Sequence, residues 1–176
     1  MNENKKLFLL EEDITYLNHG SFGACPKVIF EDYQNWQFKL EKQPVQFFTE
    51  ELYYALKKSR ESLSKFLGCG QDEVLFFQNP TTAVSNIIYN LDLKPGDEIL
   101  MTDHEYGALV RAWNAWGKKV KVYIKYANVT LPLESKDKFF EDVSKKISSK
   151  TKVLFLSHIT SPTGLVFPIK DIIDFA

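Results

Sequence analysis

Apolar residues recur at helical spacing through much of the first 70 residues of the chain. They predict a helix from Pro26 to about Lys42, because proline suits a first helical turn, where its missing N–H is not needed. A second helix is predicted to begin after Thr49, a candidate N-cap, and to end at Gly68. Its inward face is predicted to consist of Leu52, Leu56, Leu63 and Leu67. Residues 1–70 are therefore expected to form an N-terminal arm followed by helices.

After Gly70 short apolar runs alternate with amphipathic stretches. Strands are predicted at Val74–Phe77, Glu98–Thr102, Lys119–Lys125 and Val153–Leu156. Helices are predicted around Ile87, from Leu109 to Gly117, from Ser135 to Ile147 and from Pro168 onward. The third strand alternates lysine with apolar residues, as an edge strand does, whereas the fourth is uniformly apolar, as a central strand covered on both faces is. Strands that alternate with helices predict an α/β fold with a mostly parallel sheet flanked by helices.

The last predicted helix carries an apolar face with little chain after it to cover that face. This face consists of Ile169, Ile172, Ile173 and Phe175. Domain boundaries normally fall in exposed polar linkers. We therefore expect residues 71–176 to be the first part of an α/β domain that is incomplete at the C-terminus.

Charge and composition narrow the class of ligand. The 22 basic and 23 acidic residues are mixed along the chain, so no strong field draws in nucleic acid or an anionic membrane. Cys25 and Cys69 lack the spacing of a metal site or redox pair, and no apolar window is long enough to cross a bilayer. These features favour a cytoplasmic protein with a small-molecule ligand and without a nucleic acid, membrane or metal partner.

The segment Phe76–Ala83 runs from the first predicted strand through a polar loop into a helix. The free N–H groups and positive dipole end of a helix start attract an anion, and the hydroxyls of Thr81 and Thr82 can add donors for a phosphate. Alternatively, Thr81 or Thr82 only N-caps the helix. The residues by themselves leave both interpretations open.

Two further polar loops follow predicted strands at their carboxyl ends, where parallel α/β sheets bind ligands. In the first, Tyr106 or His104 can stack on a flat cofactor; in the second, Ser161 can hydrogen-bond the polar rim of a ligand. The alternatives are a core-edge tyrosine, a capping histidine and an ordinary turn closed by Pro162 and Gly164.

Together with a glycine-flexed segment near the start, these segments resemble a known family. The resemblance is carried, in order, by Tyr16–Gly23, Asn79–Ala83, Asp103–Tyr106, and Ser157–Gly164 with Pro168. The family is the class V aminotransferases of fold type I, which use pyridoxal 5′-phosphate (PLP). The closest branch is isopenicillin N epimerase-like, with cysteine desulfurases as relatives. The resemblance implies a PLP-binding large domain, an amino acid substrate and a homodimer with shared active sites.

The resemblance also implies roles for individual residues in cofactor binding. Thr81 and Thr82 would hold the PLP phosphate. Tyr106 would stack on the pyridine ring, with His104 as the alternate stacking residue. Ser161 falls where related enzymes carry an asparagine near the phenolic oxygen, so it would be a weaker hydrogen-bonding substitute.

For the substrate, the resemblance implies that Asn18 and His19 lie near its carboxylate, in this subunit's site or a partner's. In the family's order, the aspartate that pairs with the pyridinium nitrogen, the Schiff-base lysine and the small C-terminal domain all follow Ala176. We therefore expect the N-terminal part of a PLP-dependent enzyme, inactive alone and without a catalytic residue. The alternatives are a non-catalytic ligand- or partner-binding module of this fold, or a cysteine desulfurase-type lyase activity.

Overall fold

The structure is a computed structural model that describes residues 3–176. The chain divides into two compact units, one that ends at Leu75 and one that spans Phe76–Ala176. The predicted division after residue 70 and the predicted absence of a small C-terminal domain stay predictions.

The first unit is helical. Its elements are a 3-10 turn at Glu3–Leu7, α1 at Lys27–Lys42, α2 at Pro44–Gln46, a π-helical turn at Phe47–Glu51, α3 at Leu52–Leu67 and a second 3-10 turn at Gln71–Glu73. The predicted N-cap at Thr49 is wrong, because its hydroxyl donates to the Val45 carbonyl oxygen at 2.8 Å from within a continuous helical segment. Pro44 begins that segment instead. Gly68 ends α3 in the left-handed conformation with φ 72°, as predicted.

The predicted inward face of α3 is only partly correct. Leu52 and Leu63 are half-buried, whereas Leu56 and Leu67 are 43% and 57% exposed. Within this unit α3 contacts mainly the turns on either side of it, so much of its apolar stripe stays in contact with solvent.

The second unit is an α/β structure around three parallel strands. The strands are β1 at Glu98–Thr102, β2 at Tyr123–Ala127 and β3 at Thr151–Phe155, in the spatial order β2-β1-β3. The helices are α4 at Pro80–Asn90, α5 at Gly107–Val120, α6 at Lys136–Ser144 and α7 at Lys170–Phe175. A parallel sheet flanked by helices confirms the predicted fold class.

Alternate residues of β1 point into two apolar clusters, one on each face of the sheet. Leu100 lies in the first cluster, with Ala127, Val129, Phe139, Val143, Phe167 and Ile172. Ile99 and Met101 lie in the second, with Ile88, Trp113, Trp116 and Val122. Helices α6 and α7 therefore cover one face and helices α4 and α5 the other, so that β1 is the buried centre of the unit.

This arrangement corrects the predicted position of Val153–Leu156. The uniformly apolar run was expected to be central, but among residues 3–176 β3 pairs with β1 alone, and β1 is the central strand. The third predicted strand does lie at an edge, as β2. It begins at Tyr123 because α5 continues to Val120. Gly117 does not close that helix: it is buried inside it, where an added Cβ would stand 3.2 Å from Ile124.

The first predicted strand, Val74–Phe77, does not form. No strand in the described range 3–176 pairs with this segment, and Leu75 and Phe76 are 70% and 50% exposed. An extended segment needs a partner for its backbone hydrogen bonds before it becomes a strand. The predicted sheet therefore contains one strand more than the observed one.

The last two helices are shorter than predicted. Ser135 N-caps α6 by accepting a hydrogen bond from the Lys138 amide at 3.1 Å, but the helix ends at Ser144. Helix α7 begins at Lys170, two residues after Pro168, since Ile169 takes the N-cap position. Its Ile172 is fully buried, whereas Ile173 and Phe175 remain exposed.

Candidate functional site

Polar segments follow all three strands at their carboxyl ends, which meet at one edge of a parallel sheet. Asp103 and His104, directly after β1, bind the segment after β2. The Asp103 carboxylate accepts the amide of Val129 at 3.0 Å and the side-chain amide of Asn128 at 3.3 Å. His104 Nε2 lies 3.0 Å from the Val129 carbonyl oxygen, which can only accept, so Nε2 carries the proton. The His104 ring also packs edge-on against Phe167.

Glu105, the next residue, binds the segment after β3. Its side chain is 5% exposed and accepts the Thr102 hydroxyl at 2.7 Å, the Ser157 hydroxyl at 2.5 Å and the Ser157 amide at 3.1 Å. Glu105 has no ion-pair partner among residues 3–176. Glu105 is not among the site residues predicted from the sequence, although a carboxylate between His104 and Tyr106, three residues after a buried strand, is an indication of such a role.

Tyr106 is 48% exposed, whereas His104 is half-buried and Glu105 is buried. Tyr106 occupies the N-cap position of α5, and its carbonyl oxygen accepts the amides of Leu109 and Val110 at 2.9 and 3.0 Å. Its backbone is thus fixed by the helix that it begins, while its ring lies open at the carboxyl edge of the sheet.

The start of α4 is capped by Asn79, and neither Thr81 nor Thr82 is the N-cap, so that alternative is wrong. The carboxamide oxygen of Asn79 accepts the Thr82 amide at 2.8 Å and the Thr82 hydroxyl at 3.1 Å. Two donors of one residue therefore converge on a single oxygen. Thr81 is half-buried and Thr82 is exposed.

Ser161 lies at the tip of an exposed turn after β3. The turn is closed by hydrogen bonds between Thr160 and Leu165, and Gly164 adopts the left-handed conformation with φ 64°. Thr160 is buried, and its hydroxyl lies 2.6 Å from that of Thr163. Those two hydroxyls stabilise the turn itself, which leaves Ser161 as the exposed hydroxyl at its tip.

Asn18 and His19 belong to the first unit, whereas the other predicted site residues belong to the second. Both are exposed. The His19 ring packs edge-on against Tyr16 with 4.8 Å between centroids, and its Nδ1 lies 3.4 Å from the Ala24 amide. The Asn18 carbonyl oxygen accepts the Phe22 amide at 3.0 Å. These contacts order the glycine-flexed segment within its own unit.

The sequence profile of the family described as aminotransferase class-V matches residues 25–176. The chain belongs to this family. It is 30% identical to the isopenicillin N epimerase of Amycolatopsis lactamdurans over 90% of the chain and 40% of that protein. It is 24% identical to a probable chloroplastic L-cysteine desulfhydrase of Arabidopsis thaliana over 93% of the chain and 37% of that protein. The chain therefore spans about two fifths of the length of these class V relatives.

Solved structures share the same fold. The cystine C–S lyase C-DES, in complex with cysteine persulfide, superposes with a TM-score of 0.84 at 24% identity, over 93% of this chain and 43% of that one. The cysteine desulfurase CsdA of Escherichia coli gives a TM-score of 0.78 at 19% identity, over 98% of this chain and 45% of that one. The profile match confirms the predicted class V family, which is PLP-dependent, and the structural matches confirm the predicted fold.

Residues at the start of α4 and at the sheet edge suit the chemistry of such a cofactor. The amide and hydroxyl of Thr82 both donate to the Asn79 side-chain oxygen. The same two donors could bind a phosphate oxygen in its place. The open ring of Tyr106 suits an aromatic ring. No cluster of His, Cys, Asp or Glu that could hold a metal ion occurs within residues 3–176, and no helix there is long and apolar enough to cross a membrane.

Proposed function

We propose that this chain is the N-terminal part of a PLP-dependent class V enzyme that acts on an amino acid, and that it supplies the phosphate and ring contacts of the cofactor site. The observation that carries the proposal is the contrast within residues 103–106. Asp103, His104 and Glu105 are all held by neighbouring segments, whereas the Tyr106 ring is open at the carboxyl edge. PLP, when bound, supplies an electron sink for the reaction at the substrate's Cα.

Thr81 and Thr82 bind the phosphate in this proposal. The phosphate dianion is attracted by the positive end of the α4 dipole. It can accept hydrogen bonds from the Thr82 amide and hydroxyl once the Asn79 side chain has moved away from them. Only residues 91–97 connect α4 to β1, and both α4 and α5 contribute to the apolar cluster on one face of the sheet. This short connection favours an α4 that runs antiparallel to β1, with its start toward the carboxyl edge.

Between the two candidate stacking residues, the contacts favour Tyr106. His104 is held by the Val129 carbonyl oxygen and by the edge of Phe167, so moving its ring onto a cofactor would break a hydrogen bond of 3.0 Å. The exposed hydroxyl of Ser161 is available for the phenolic oxygen of the cofactor. Asn18 and His19 remain our proposal for contacts with the substrate carboxylate.

The relatives support an amino acid substrate without selecting the reaction. Names of relatives and structural neighbours include L-cysteine desulfhydrase, cystine C–S lyase, cysteine desulfurase and isopenicillin N epimerase. Lyase and epimerase activities are therefore both compatible with the family. The homodimer and the cytoplasmic location stay predictions.

Covalent attachment of the cofactor tests this proposal. The 176-residue chain and the product of the complete reading frame that contains it, called here the complete gene product, are mixed with PLP, reduced with borohydride and analysed by mass spectrometry. We expect no stoichiometric label on any lysine of the 176-residue chain. We expect one labelled lysine in the complete gene product, outside these residues.

Two other results would contradict the proposal. A single, fully labelled lysine within residues 1–176 would show that the chain carries its own catalytic lysine. Reversible PLP binding by a monomeric 176-residue chain, together with a complete gene product that is never labelled, would favour the non-catalytic ligand-binding module.

A further inference from the structure

Glu105 is a buried carboxylate that the proposed contacts with the cofactor do not use. It is 5% exposed, and its oxygens accept hydrogen bonds from the hydroxyls of Thr102 and Ser157 and from the Ser157 amide. A buried carboxylate without a cation is costly, and here hydrogen bonds from neutral donors offset that cost. Such a group needs an explanation in terms of what its hydrogen bonds hold together.

The position of these bonds in the sheet gives that explanation. Strand β1 pairs with β2 up to Thr102 and Ala127, and the Asp103 amide extends this pairing by donating to the Ala127 carbonyl oxygen at 3.1 Å. On the other side, pairing of β1 with β3 stops one residue earlier, at Met101 and Phe155. Beyond that point the Glu105 side chain connects the two segments in place of backbone hydrogen bonds.

The connected segments carry two of the proposed cofactor contacts. Glu105 directly precedes Tyr106, and Ser157 lies four residues before Ser161 on the segment that leaves β3. A rigid bridge at this point fixes the distance between the two segments where they leave the sheet. The segment that carries Tyr106 is also held to the segment after β2 by Asp103 and His104, but Glu105 is the residue that accepts the amide and hydroxyl of Ser157.

We propose that Glu105 is a positioning residue, whose hydrogen bonds to Ser157 hold the segments that carry Tyr106 and Ser161 at the spacing that the cofactor requires. The cofactor part of this inference rests on the proposed function. The bridge itself rests only on the contacts of Glu105.

The test compares Glu105→Gln and Ser157→Ala with a matched control, Glu98→Gln, in the complete gene product. Glu98 also accepts hydroxyl hydrogen bonds, from Ser148 and Thr151, but at the amino end of β1, away from the proposed site. Glutamine keeps the length of the side chain but loses one acceptor and the charge. Ser157→Ala removes only the hydroxyl bond.

The first readout is hydrogen exchange at the Ser157 amide in the protein without cofactor. We expect exchange to become roughly tenfold faster in Glu105→Gln, by analogy with the loss of one hydrogen bond to a charged group, and to stay unchanged in Glu98→Gln. Equal exchange rates in wild type and Glu105→Gln would overturn the bridge.

The second readout is the dissociation constant for PLP, together with the visible circular dichroism of the bound cofactor, which reports a fixed orientation. Glu105→Gln should weaken binding roughly tenfold and reduce the dichroism, Ser157→Ala should do so by a smaller factor, and Glu98→Gln should change neither. Equal losses in Glu105→Gln and Glu98→Gln would mean a general effect on stability and would overturn the positioning role.

The outcomes separate this inference from the proposed function. If wild type binds PLP and Thr82→Ala weakens binding but Glu105→Gln does not, the positioning role is wrong and the proposed function stands. If wild type does not bind PLP, the proposed function fails together with the cofactor part of the inference, and the exchange rate at Ser157 still decides the bridge.

Discussion

The two ends of strand β1 each carry a glutamate that connects the strand to β3 or to the segments beside β3, but the partners differ. At the amino end, Glu98 accepts hydrogen bonds from the Ser148 hydroxyl at 2.5 Å and from the Lys125 ammonium at 3.1 Å. At the carboxyl end, Glu105 accepts bonds from hydroxyls and an amide only. Glu98 thus also forms a partly exposed ion pair with Lys125 of β2, whereas Glu105 is a buried carboxylate with no cationic partner within residues 3–176.

The two glutamates are therefore expected to differ in what they contribute: Glu98 to the stability of the sheet, and Glu105 to both stability and the proposed site. A partly exposed ion pair contributes little by itself, because water can solvate either partner when the other is removed. A buried carboxylate that organises several donors behaves differently, because its removal leaves those donors without partners in a place that water reaches poorly. We therefore expect substitutions at the carboxyl end to affect both stability and ligand binding, and substitutions at the amino end to affect stability slightly.

The largest expected effect is that of Glu105→Ala on folding. It leaves the fully buried Thr102 hydroxyl and the Ser157 amide without their acceptor, which should lower the free energy of unfolding by about 2–3 kcal/mol. Urea unfolding measures this loss, with Glu98→Ala as the control that should lose less. Equal losses in the two variants would mean that the two glutamates contribute alike to folding.

The next effect is that of Thr82→Ala on cofactor binding. Loss of a hydroxyl that donates a charge-assisted hydrogen bond to phosphate should weaken PLP binding by roughly 1–3 kcal/mol, whereas Thr82→Ser keeps the hydroxyl and should bind nearly as wild type does. Equilibrium titration of the complete gene product with PLP provides the measurement. Unchanged affinity in Thr82→Ala would mean that Thr82 serves only the helix start with Asn79.

A smaller effect is expected from the ring of Tyr106. Replacing it by leucine removes an aromatic face and should weaken PLP binding by about 1 kcal/mol, while Tyr106→Phe keeps the ring and should have little effect. The same titration compares the two variants. A stronger loss in His104→Leu than in Tyr106→Leu, at matched stability, would favour His104 as the stacking residue.

The sequence predicted β1 exactly and misplaced the centre of the sheet, for a physical reason. A uniformly apolar run such as Val153–Phe155 indicates that both faces of a strand are suited to burial, but it does not indicate how many strands lie beside it. In the part of the chain that the structure describes, residues 3–176, β3 has one neighbouring strand, and its residues line a cavity of about 610 Å³ together with Ile173 and Phe175.

The residues of the candidate site were also predicted only in part. Local patterns suffice for a helix start and a turn, so the segments at Thr82 and Ser161 were found from sequence alone. Glu105 was not found, because its partner Ser157 lies 52 residues further along the chain and only the fold brings the two together. The alternative in which Thr81 or Thr82 N-caps α4 is wrong because Asn79 takes that position, and all three residue types are suited to it.

The smallest expected effect is the pH dependence that Glu98 contributes. The pKa of Glu98 lies below its ordinary value of 4.5, mainly because the Ser148 hydroxyl donates a hydrogen bond to the carboxylate and, second, because the Lys125 ammonium does so. A carboxyl whose pKa is lower in the folded state stabilises the fold above its unfolded-state pKa, and this contribution is lost as the pH falls through the folded-state pKa. Glu98→Gln should therefore lower stability slightly at neutral pH and flatten its decline in acid, measured by urea unfolding between pH 3 and pH 7. A variant whose stability falls in acid as steeply as that of wild type would show that other carboxylates govern the acid response and that the ion pair at the amino end is not linked to folding.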